Sequence, residues 1–449
     1  MLRFAPSPTG NLHVGNARIA LLNYLYSIKQ NTKFFLRFDD TDKERSKEEY
    51  IFSIKEDLVW LGINFENYYF QSKRIKMYYE ISEKLKKSGK LYACYETSEE
   101  LDLKRKFLLK SGKPPIYDRS SLNLTKKQIK EYVREGRKPH WRLLLDENII
   151  EWNDLIHKSI KFENLSISDP VLLRSDNTPL FTLTSVVDDA DLNVSTVLRG
   201  DDHITNTAAQ IKLFQYIGAD IPNFGHFPLI TGTKGSNMSK RLNNFSLKDL
   251  KLKKISSDAL NTYLAKIGTG LSFEEIKSLK ELSEEFEFKN FSKSPIQYLP
   301  EELIRLNSKY LKNLSYSEIV KVTKKNITKE FWNAIKSNIE SLNDLDVWFE
   351  IIYSKNFDSK INDEDLKVIQ IAIECLPQII EENTWSVWTE KISKKSGIKK
   401  GKKIFLLLRN AITGLNDGPE MKLIIQLLER KEIINRLDLE KVKNENKKN

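Results

Sequence analysis

Cysteine is scarce: Cys94 and Cys375 are the only two in 449 residues. Two thiols so far apart cannot make a disulfide framework. Neither has a second Cys or a His at ligand spacing, which excludes the usual local zinc motifs. Long apolar runs are missing too. No window approaches the roughly 20 apolar residues of a membrane-spanning helix. The opening MLRFAPSPTG lacks the charged start and long apolar stretch of a secretion signal, so a cytoplasmic protein with no membrane partner is expected. Acidic charge is the minority, with 62 Asp and Glu against 73 Lys and Arg and a formal net charge of +11. That excess favours an acidic partner such as a polyphosphate backbone. A coding bias toward Lys, Asn and Ile would give the same excess, so charge alone does not establish nucleic-acid binding. What the chain does hold is 40% hydrophobic residues. These allow sizeable cores and two to four domains, and exclude a disordered or fibrous protein.

The first 40 residues read as strand, loop, helix, strand. Leu2 to Ala5 is a short apolar strand, and Pro6, Pro8 and Gly10 punctuate a loop. Ala17 to Ile28 (ARIALLNYLYSI) is apolar on nearly every turn and predicts a buried helix; Phe34 to Phe38 (FFLRF) predicts a buried strand. This is a βαβ unit, whose parallel sheet binds ligands at the carboxyl ends of its strands. A second strand, Ser195 to Leu198, leads through RGDDHITNT into another helical pattern. Between them, from about Leu91 to Leu165, shorter alternating stretches predict an inserted α/β subdomain. Beyond about residue 300 the chain reads as amphipathic helices, broken at Gly414, Gly418 and Pro419, with a polar, frayed end in KVKNENKKN.

Two segments carry chemistry. The first is Pro6-Ser7-Pro8-Thr9-Gly10-Asn11-Leu12-His13-Val14-Gly15-Asn16, between strand and helix. Backbone N–H groups and the helix dipole favour an anion there. Gly10 and Gly15 allow close backbone approach. His13 can donate to phosphate oxygens and to developing charge. An ordinary tight loop with a capping residue would explain a bare PxPxG, but not all eleven residues. The second segment is Gly235-Ser236-Asn237-Met238-Ser239-Lys240-Arg241, after the strand-like FGHFPLI. Alone, SKR means little; after the first segment, and in that order, it means much more.

The first segment resembles the HIGH signature of class I aminoacyl-tRNA synthetases, and PSPTGxLHxGxAR is similar to the form in bacterial glutamyl enzymes. The second resembles their KMSKS signature, read here as NMSKR. The resemblance implies an α/β, Rossmann-type parallel-sheet catalytic domain (1–90 and 165–235) split by an inserted acceptor-stem-binding subdomain (91–164). A stem-contact region with the NMSKR loop follows (236–305), then a helical anticodon-binding domain (306–449). It implies a monomer with ATP, Mg²⁺, L-glutamate and tRNA as ligands, activating glutamate and transferring it to tRNA-Glu, tRNA-Gln or both. Carried over by position, His13 and Lys240 are catalytic. Thr9, Gly10, His13, Gly15, Asp202, Met238, Ser239 and Lys240 contact ATP, with His203 beside Asp202. Arg3, Ala5, Ser7, Asp39, Phe181, Ser185 and Arg199 contact glutamate, whose carboxylate needs a cation when buried.

Several positions depart from the family pattern. Asn16 replaces the last His of the first signature, and Asn237 replaces the first Lys of the second. Asp39 stands where relatives carry Glu, and Phe181 and Ser185 where they carry Tyr and Asn. Some relatives bind zinc through Cys-x-Cys in the insert; Cys94 stands alone in YACYE, so no structural zinc is expected. Lys126, Lys127, Lys130, Arg134, Arg137, Lys138 and Arg142 with Trp141, and Lys391, Lys394, Lys395, Lys399, Lys400, Lys402 and Lys403, could follow a phosphate backbone. Trp332, Trp348, Trp385 and Trp388 could stack on bases, although such residues are more often core. The stretch 414–421 (GLNDGPEM) resembles a loop of the anticodon part. Three alternatives remain: a short paralogue that modifies a tRNA base, a nucleotidylyltransferase of the same fold, and a non-catalytic tRNA binder. The helical third argues against the first two, and His13 with Lys240 against the last.

Overall fold

A computed structural model of the chain describes residues 1–146, 148–163, 166–232, 246–354, 359 and 361–438. The chain divides into two compact units, one of Met1–Leu250 with Ser257–Pro300, the other of Lys251–Ser256 with Glu301–Asn449.

The first unit opens with β1 (Leu2–Phe4), α1 (Val14–Lys29), β2 (Phe34–Phe38), α2 (Glu48–Trp60) and β3 (Tyr68–Phe70). β1, β2 and β3 pair in parallel, in that order. All five residues of β2 are buried, as a run apolar on both faces requires inside a covered parallel sheet. α3 (Ile75–Lys87) leads to the insert, built of β4 (Leu91–Cys94), α4 (Ser98–Lys110), α5 (Lys126–Arg134), β5 (His140–Leu143), β6 (Ile150–Asp154), β7 (Lys158–Phe162) and β8 (Val171–Leu173). β4, β5 and β8 form an antiparallel sheet, and β6–β7 is a separate hairpin.

The chain then returns through α6 (Phe181–Asp191), β9 (Thr196–Gly200), α7 (Ile204–Ile217) and β10 (Asn223–Phe227). β9 and β10 pair in parallel, with Arg199 opposite His226. The Ser195 N–H donates to the Met1 carbonyl at 3.0 Å, which ties the start of β9 to the start of β1. The strands therefore follow the spatial sequence β3, β2, β1, β9, β10. The order reverses between β1 and β9, and a doubly wound sheet binds its ligands at that reversal. β11 (Ile230–Thr231), α8 (Leu247–Leu252), α9 (Ser257–Lys266), α10 (Leu279–Glu285) and β12 (Ile296–Gln297) follow.

The second unit is helical, from α11 (Pro300–Asn313) to α12 (Arg430–Leu437) among the described residues. Its core gathers Phe331, Trp332, Trp348, Trp388, Ile404 and Leu408 with many aliphatic residues. The indole N–H of Trp332 donates to the Leu314 carbonyl (3.1 Å) and that of Trp388 to the Ala372 carbonyl (2.8 Å). Trp332 and Trp388 are buried with their polar handles satisfied, and Trp348 is buried beside them, so none of the three offers a face to a base. Trp385 is half-buried and packs on Trp388 and Phe405. Gly414 ends a helix at φ 72°, and a Cβ on Gly418 would lie 2.4 Å from the Trp348 ring. The glycines of GLNDGPEM are therefore required by one reversal and one close approach.

Candidate functional site

The loop Ala5–Leu12 leaves the carboxyl end of β1 and enters α1 through His13, which caps the helix. The His13 Nδ1 accepts from the backbone N–H of Gly15 (3.1 Å) and of Asn16 (3.4 Å). With Nδ1 occupied as an acceptor, the proton of the neutral ring sits on Nε2. Partial desolvation lowers the His13 pKa, which keeps the ring neutral near pH 7. The imidazole thus presents an N–H donor beside a helix N-terminus, the polarity an anion needs. A Cβ on Gly15 would lie 2.9 Å from His13 Cε1, whereas Gly10 has open space around it. Ser7 and Thr9 are exposed on this loop and Ala5 is half-buried.

The second segment, Asn237 to Arg241, lies outside the described residues, as do its Met238, Ser239 and Lys240. The chain resumes against the first loop: the Leu247 N–H donates to the Leu12 carbonyl (3.1 Å), and Ser246 bridges to His13.

Behind the first loop lies a buried lattice of charges. Arg3 Nε and Nη2 donate to Asp189 at 3.0 and 3.2 Å. Arg37, fully buried, donates to Asp39 (2.7 Å) and Asp189 (2.6 Å). Asp188 accepts from Gln71 (2.9 Å), Arg74 (2.7 Å) and the Tyr78 hydroxyl (2.9 Å). Such interlocked pairing keeps the desolvation cost of buried charge within bounds. Asp39 also donates its backbone N–H to the Pro6 carbonyl (3.1 Å), which fixes the carboxylate beside the signature loop. Burial pushes the Asp39 carboxyl up to about 6, although Arg37 pulls it down.

Arg199, at the end of β9, is different. It is buried, yet the groups it donates to are neutral: Thr207 Oγ1 (2.6 Å), Gln210 Oε1 (2.6 Å) and, more distantly, His226 Nε2 (3.4 Å). Among the described residues no carboxylate is within ion-pair distance of it. Burial, with repulsion from Arg3, lowers its pKa to about 9, so it remains a cation at pH 7. A buried cation without a counterion is a site for an anion. Sequence reasoning treated Arg3 and Arg199 alike, but Arg3 is already tied to Asp189.

Phe181 begins α6 and lies 5.3 Å from His203, ring to ring. Ser185 is buried; its hydroxyl donates to the Phe181 carbonyl (2.6 Å) and accepts from Gln210 (2.6 Å). Asp202 is exposed next to His203, and a Cβ on Gly200 would lie 2.5 Å from its Oδ1. Burial and Arg199 lower His203 to about 4, so it is neutral. Sequence reasoning missed Arg37, Asp188, Asp189, Thr207, Gln210, His226 and Asp154. The paired acids of VVDD and the Arg of FFLRF, charged residues in apolar runs, were the available signal for the first three.

In the insert, the expectation that Cys94 lacks neighbours needs correction. Cys94 faces His140 across β4 and β5, and the thiol, Glu96 and His140 offer ligand atoms within 4.8 Å of one another. Cross-strand register, not sequence spacing, creates this group. Glu96 already accepts from Tyr117 (2.7 Å), Ser121 (2.7 Å) and Ser120 (3.0 Å). Burial opposes its ionisation, but these bonds hold its pKa down to about 2. Burial raises the Cys94 thiol, and burial and Arg142 lower His140 to about 4. The His140 Nε2 is buried without a partner.

Of the basic residues singled out in the insert, Lys126, Lys127, Lys130, Arg134 and Lys138 are exposed. Arg142 is buried and donates to the Asp169 carbonyl (2.7 Å), so it leaves the candidate surface. Arg137 pairs with Glu100 (3.0 Å) and Glu135 (2.9 Å). Lys391, Lys394, Lys395, Lys399, Lys402 and Lys403 are exposed and Lys400 is half-buried. Among the described residues no helix is long and apolar enough to cross a membrane.

The chain is similar to known proteins over nearly its whole length. The catalytic domain of class I tRNA synthetases (E and Q) matches residues 1–304, and an anticodon binding domain matches residues 250–439. Glutamate–tRNA ligase 1 of Rickettsia felis is 43% identical over 442 residues, covering 97% of this chain and 98% of the relative. Glutamate–tRNA ligase 2 of Bartonella henselae is 43% identical over 453 residues, covering 97% and 98%. A crystal structure of a glutamate tRNA ligase from Elizabethkingia meningosepticum, in complex with its amino acid, has the same fold at a TM-score of 0.76. It shares 22% identity and covers 97% of this chain and 98% of that one.

Proposed function

The chain belongs to the class I tRNA synthetases of the glutamate and glutamine branch, and from that premise we propose that it is a glutamate–tRNA ligase. The observation that carries the amino-acid assignment is Arg199, a buried cation at the end of β9 with no carboxylate within ion-pair distance among the described residues. The α-carboxylate of glutamate attacks the α-phosphorus of ATP, the bond to the β-phosphate breaks, and pyrophosphate leaves. A ribose hydroxyl at the 3′ end of tRNA then attacks the acyl carbon of the adenylate and loses its proton as AMP departs. Catalysis rests on positioning and charge stabilisation rather than on a covalent nucleophile.

Arg199 holds the side-chain carboxylate, with Arg3, Ala5, Ser7, Phe181 and Ser185 around it. Asp39 takes the α-ammonium group; being shorter than Glu, it relies on Arg37 for its aim. His13 donates from Nε2 to the phosphates, with Thr9, Gly10, Gly15 and Asp202 around the nucleotide. Lys240, with Met238 and Ser239, neutralises the triphosphate, which enters as its Mg²⁺ complex. The exposed lysines of α5 meet the acceptor stem and those of 391–403 the anticodon arm. Aminoacylation of purified tRNA-Glu and tRNA-Gln, side by side, tests the proposal. Glutamate esterified to at least one of them is expected; no ester on either contradicts it.

The Cys94–Glu96–His140 group works, on this reading, as a hydrogen-bonded corner without zinc. Structural zinc sites take four ligands, usually with several thiolates. Here there is one thiol, held protonated, and a carboxylate whose oxygens are taken. Metal analysis of the purified chain should find far less than one zinc per molecule; a stoichiometric zinc contradicts the reading.

A further inference from the structure

Glutamate and glutamine differ by one charge at the same place, so an enzyme that selects glutamate needs a cation whose charge is not already spent. Among the described residues the acceptors around Arg199 are all uncharged. One Nη2 hydrogen goes to Thr207 Oγ1 (2.6 Å) and the other to Gln210 Oε1 (2.6 Å), while Nε points at His226 Nε2 (3.4 Å). Nη1 donates to no acceptor among the described residues, which makes it the open edge of the fork.

Each neutral acceptor is fixed by something behind it. The Gln210 amide nitrogen donates to Ser185 Oγ (2.6 Å), which sets the amide so that its oxygen faces Arg199. Thr207 Oγ1 lies 2.8 Å from His226 Nε2. His226 Nδ1 lies 2.6 Å from Asp154 Oδ2, and both residues are fully buried. Asp154 Oδ1 accepts the backbone N–H groups of Ile156 and His157, each at 2.9 Å. With this carboxylate on Nδ1, the imidazole carries its proton there and offers Nε2 as an acceptor. Burial lowers the His226 pKa, so the ring stays uncharged. Among the described residues, the only carboxylate in these contacts, Asp154, is held off the arginine by the His226 ring.

We propose that Thr207, Gln210 and the His226–Asp154 pair are positioning residues that aim Arg199 through uncharged contacts and so reserve its charge for the substrate's side-chain carboxylate. The selection of glutamate over glutamine then depends on the neutrality of Gln210 as well as on Arg199. This inference rests on the assignment of Arg199 as the side-chain clamp.

The test compares Gln210→Glu with the similarly sized, uncharged Gln210→Met, with Arg199→Leu as the control. Glutamate KM, ATP KM and kcat are measured in aminoacylation, the thermal midpoint confirms folding, and glutamine is run as a competitor. Gln210→Glu places a carboxylate against the guanidinium, and charged hydrogen bonds of this kind make about a tenfold to hundredfold difference. It should raise the glutamate KM by that factor, leave the ATP KM within about twofold, and lower the preference for glutamate over glutamine. Gln210→Met should raise the glutamate KM much less and keep the preference. Equal losses in the two variants would mean packing rather than charge, and an unchanged KM in Gln210→Glu would also overturn the proposal. If Arg199→Leu leaves the glutamate KM unchanged, the clamp assignment itself fails, which is a separate outcome.

Discussion

In the proposed mechanism Asp39 takes the α-ammonium group on one buried carboxylate. Burial pushes it up to about 6, above the ordinary aspartate value. A raised pKa means the folded protein takes up the proton as pH falls through about 6, and only the ionised form attracts an ammonium group. Glutamate capture should therefore be complete well above pH 6 and fall below it, approaching about tenfold in kcat/KM per pH unit. Asp39→Asn should remove the inflection and leave a uniformly weak enzyme. A flat profile from pH 7.5 to 5 contradicts the role of Asp39. At this scale the sequence was legible where chemistry was concentrated in a short segment, as in Pro6 to Asn16. It was not legible where partners came from afar. Arg3 meets Asp189 across 186 positions and Arg37 meets it across 152. Nothing near either arginine announces that partner, so Arg3 and Arg199 looked equivalent until their neighbours were placed.

α1 begins at His13, which caps it and which in the proposed mechanism donates an N–H to the phosphates. Gly15 is the second residue of that helix, and a Cβ there would collide with the His13 ring at 2.9 Å. Gly15→Ala removes a poor helix former, worth up to about 1 kcal/mol, and disturbs a side-chain cap worth about 1 kcal/mol. The two nearly cancel, so the thermal midpoint should move little. The displaced imidazole should slow glutamate activation at least about tenfold; an unchanged rate with the midpoint preserved would remove His13 from the mechanism. Elements with strong periodicity were readable from composition. Phe34 to Phe38 forms β2 over those very residues, and Ala17 to Ile28 lies inside α1. The β6–β7 hairpin was not readable in its function. It lies in the inserted stretch, yet its Asp154 holds His226 in β10, 72 positions later. Cross-strand neighbours such as Cys94 and His140 were invisible for the same reason, since strand pairing ignores sequence spacing.

For the whole molecule, the parallel sheet and the helical third follow from hydrophobic pattern, and the family from two short signatures. The +11 charge acquires a use only once exposed lysines are separated from those already paired or buried. Trp332, Trp348 and Trp388 belong to the core of the helical unit, so in the proposed reading that unit meets tRNA through other side chains. The reversal between β1 and β9 puts the capped helix, the Asp39 carboxylate and the Arg199 cation after the carboxyl ends of neighbouring strands. Pyrophosphate exchange, run across a panel of amino acids with and without tRNA, tests that convergence most directly. Exchange should occur with glutamate in the presence of tRNA, should fall by orders of magnitude in Lys240→Ala, and should be absent with glutamine. No exchange with any amino acid, even with tRNA present, would contradict the account.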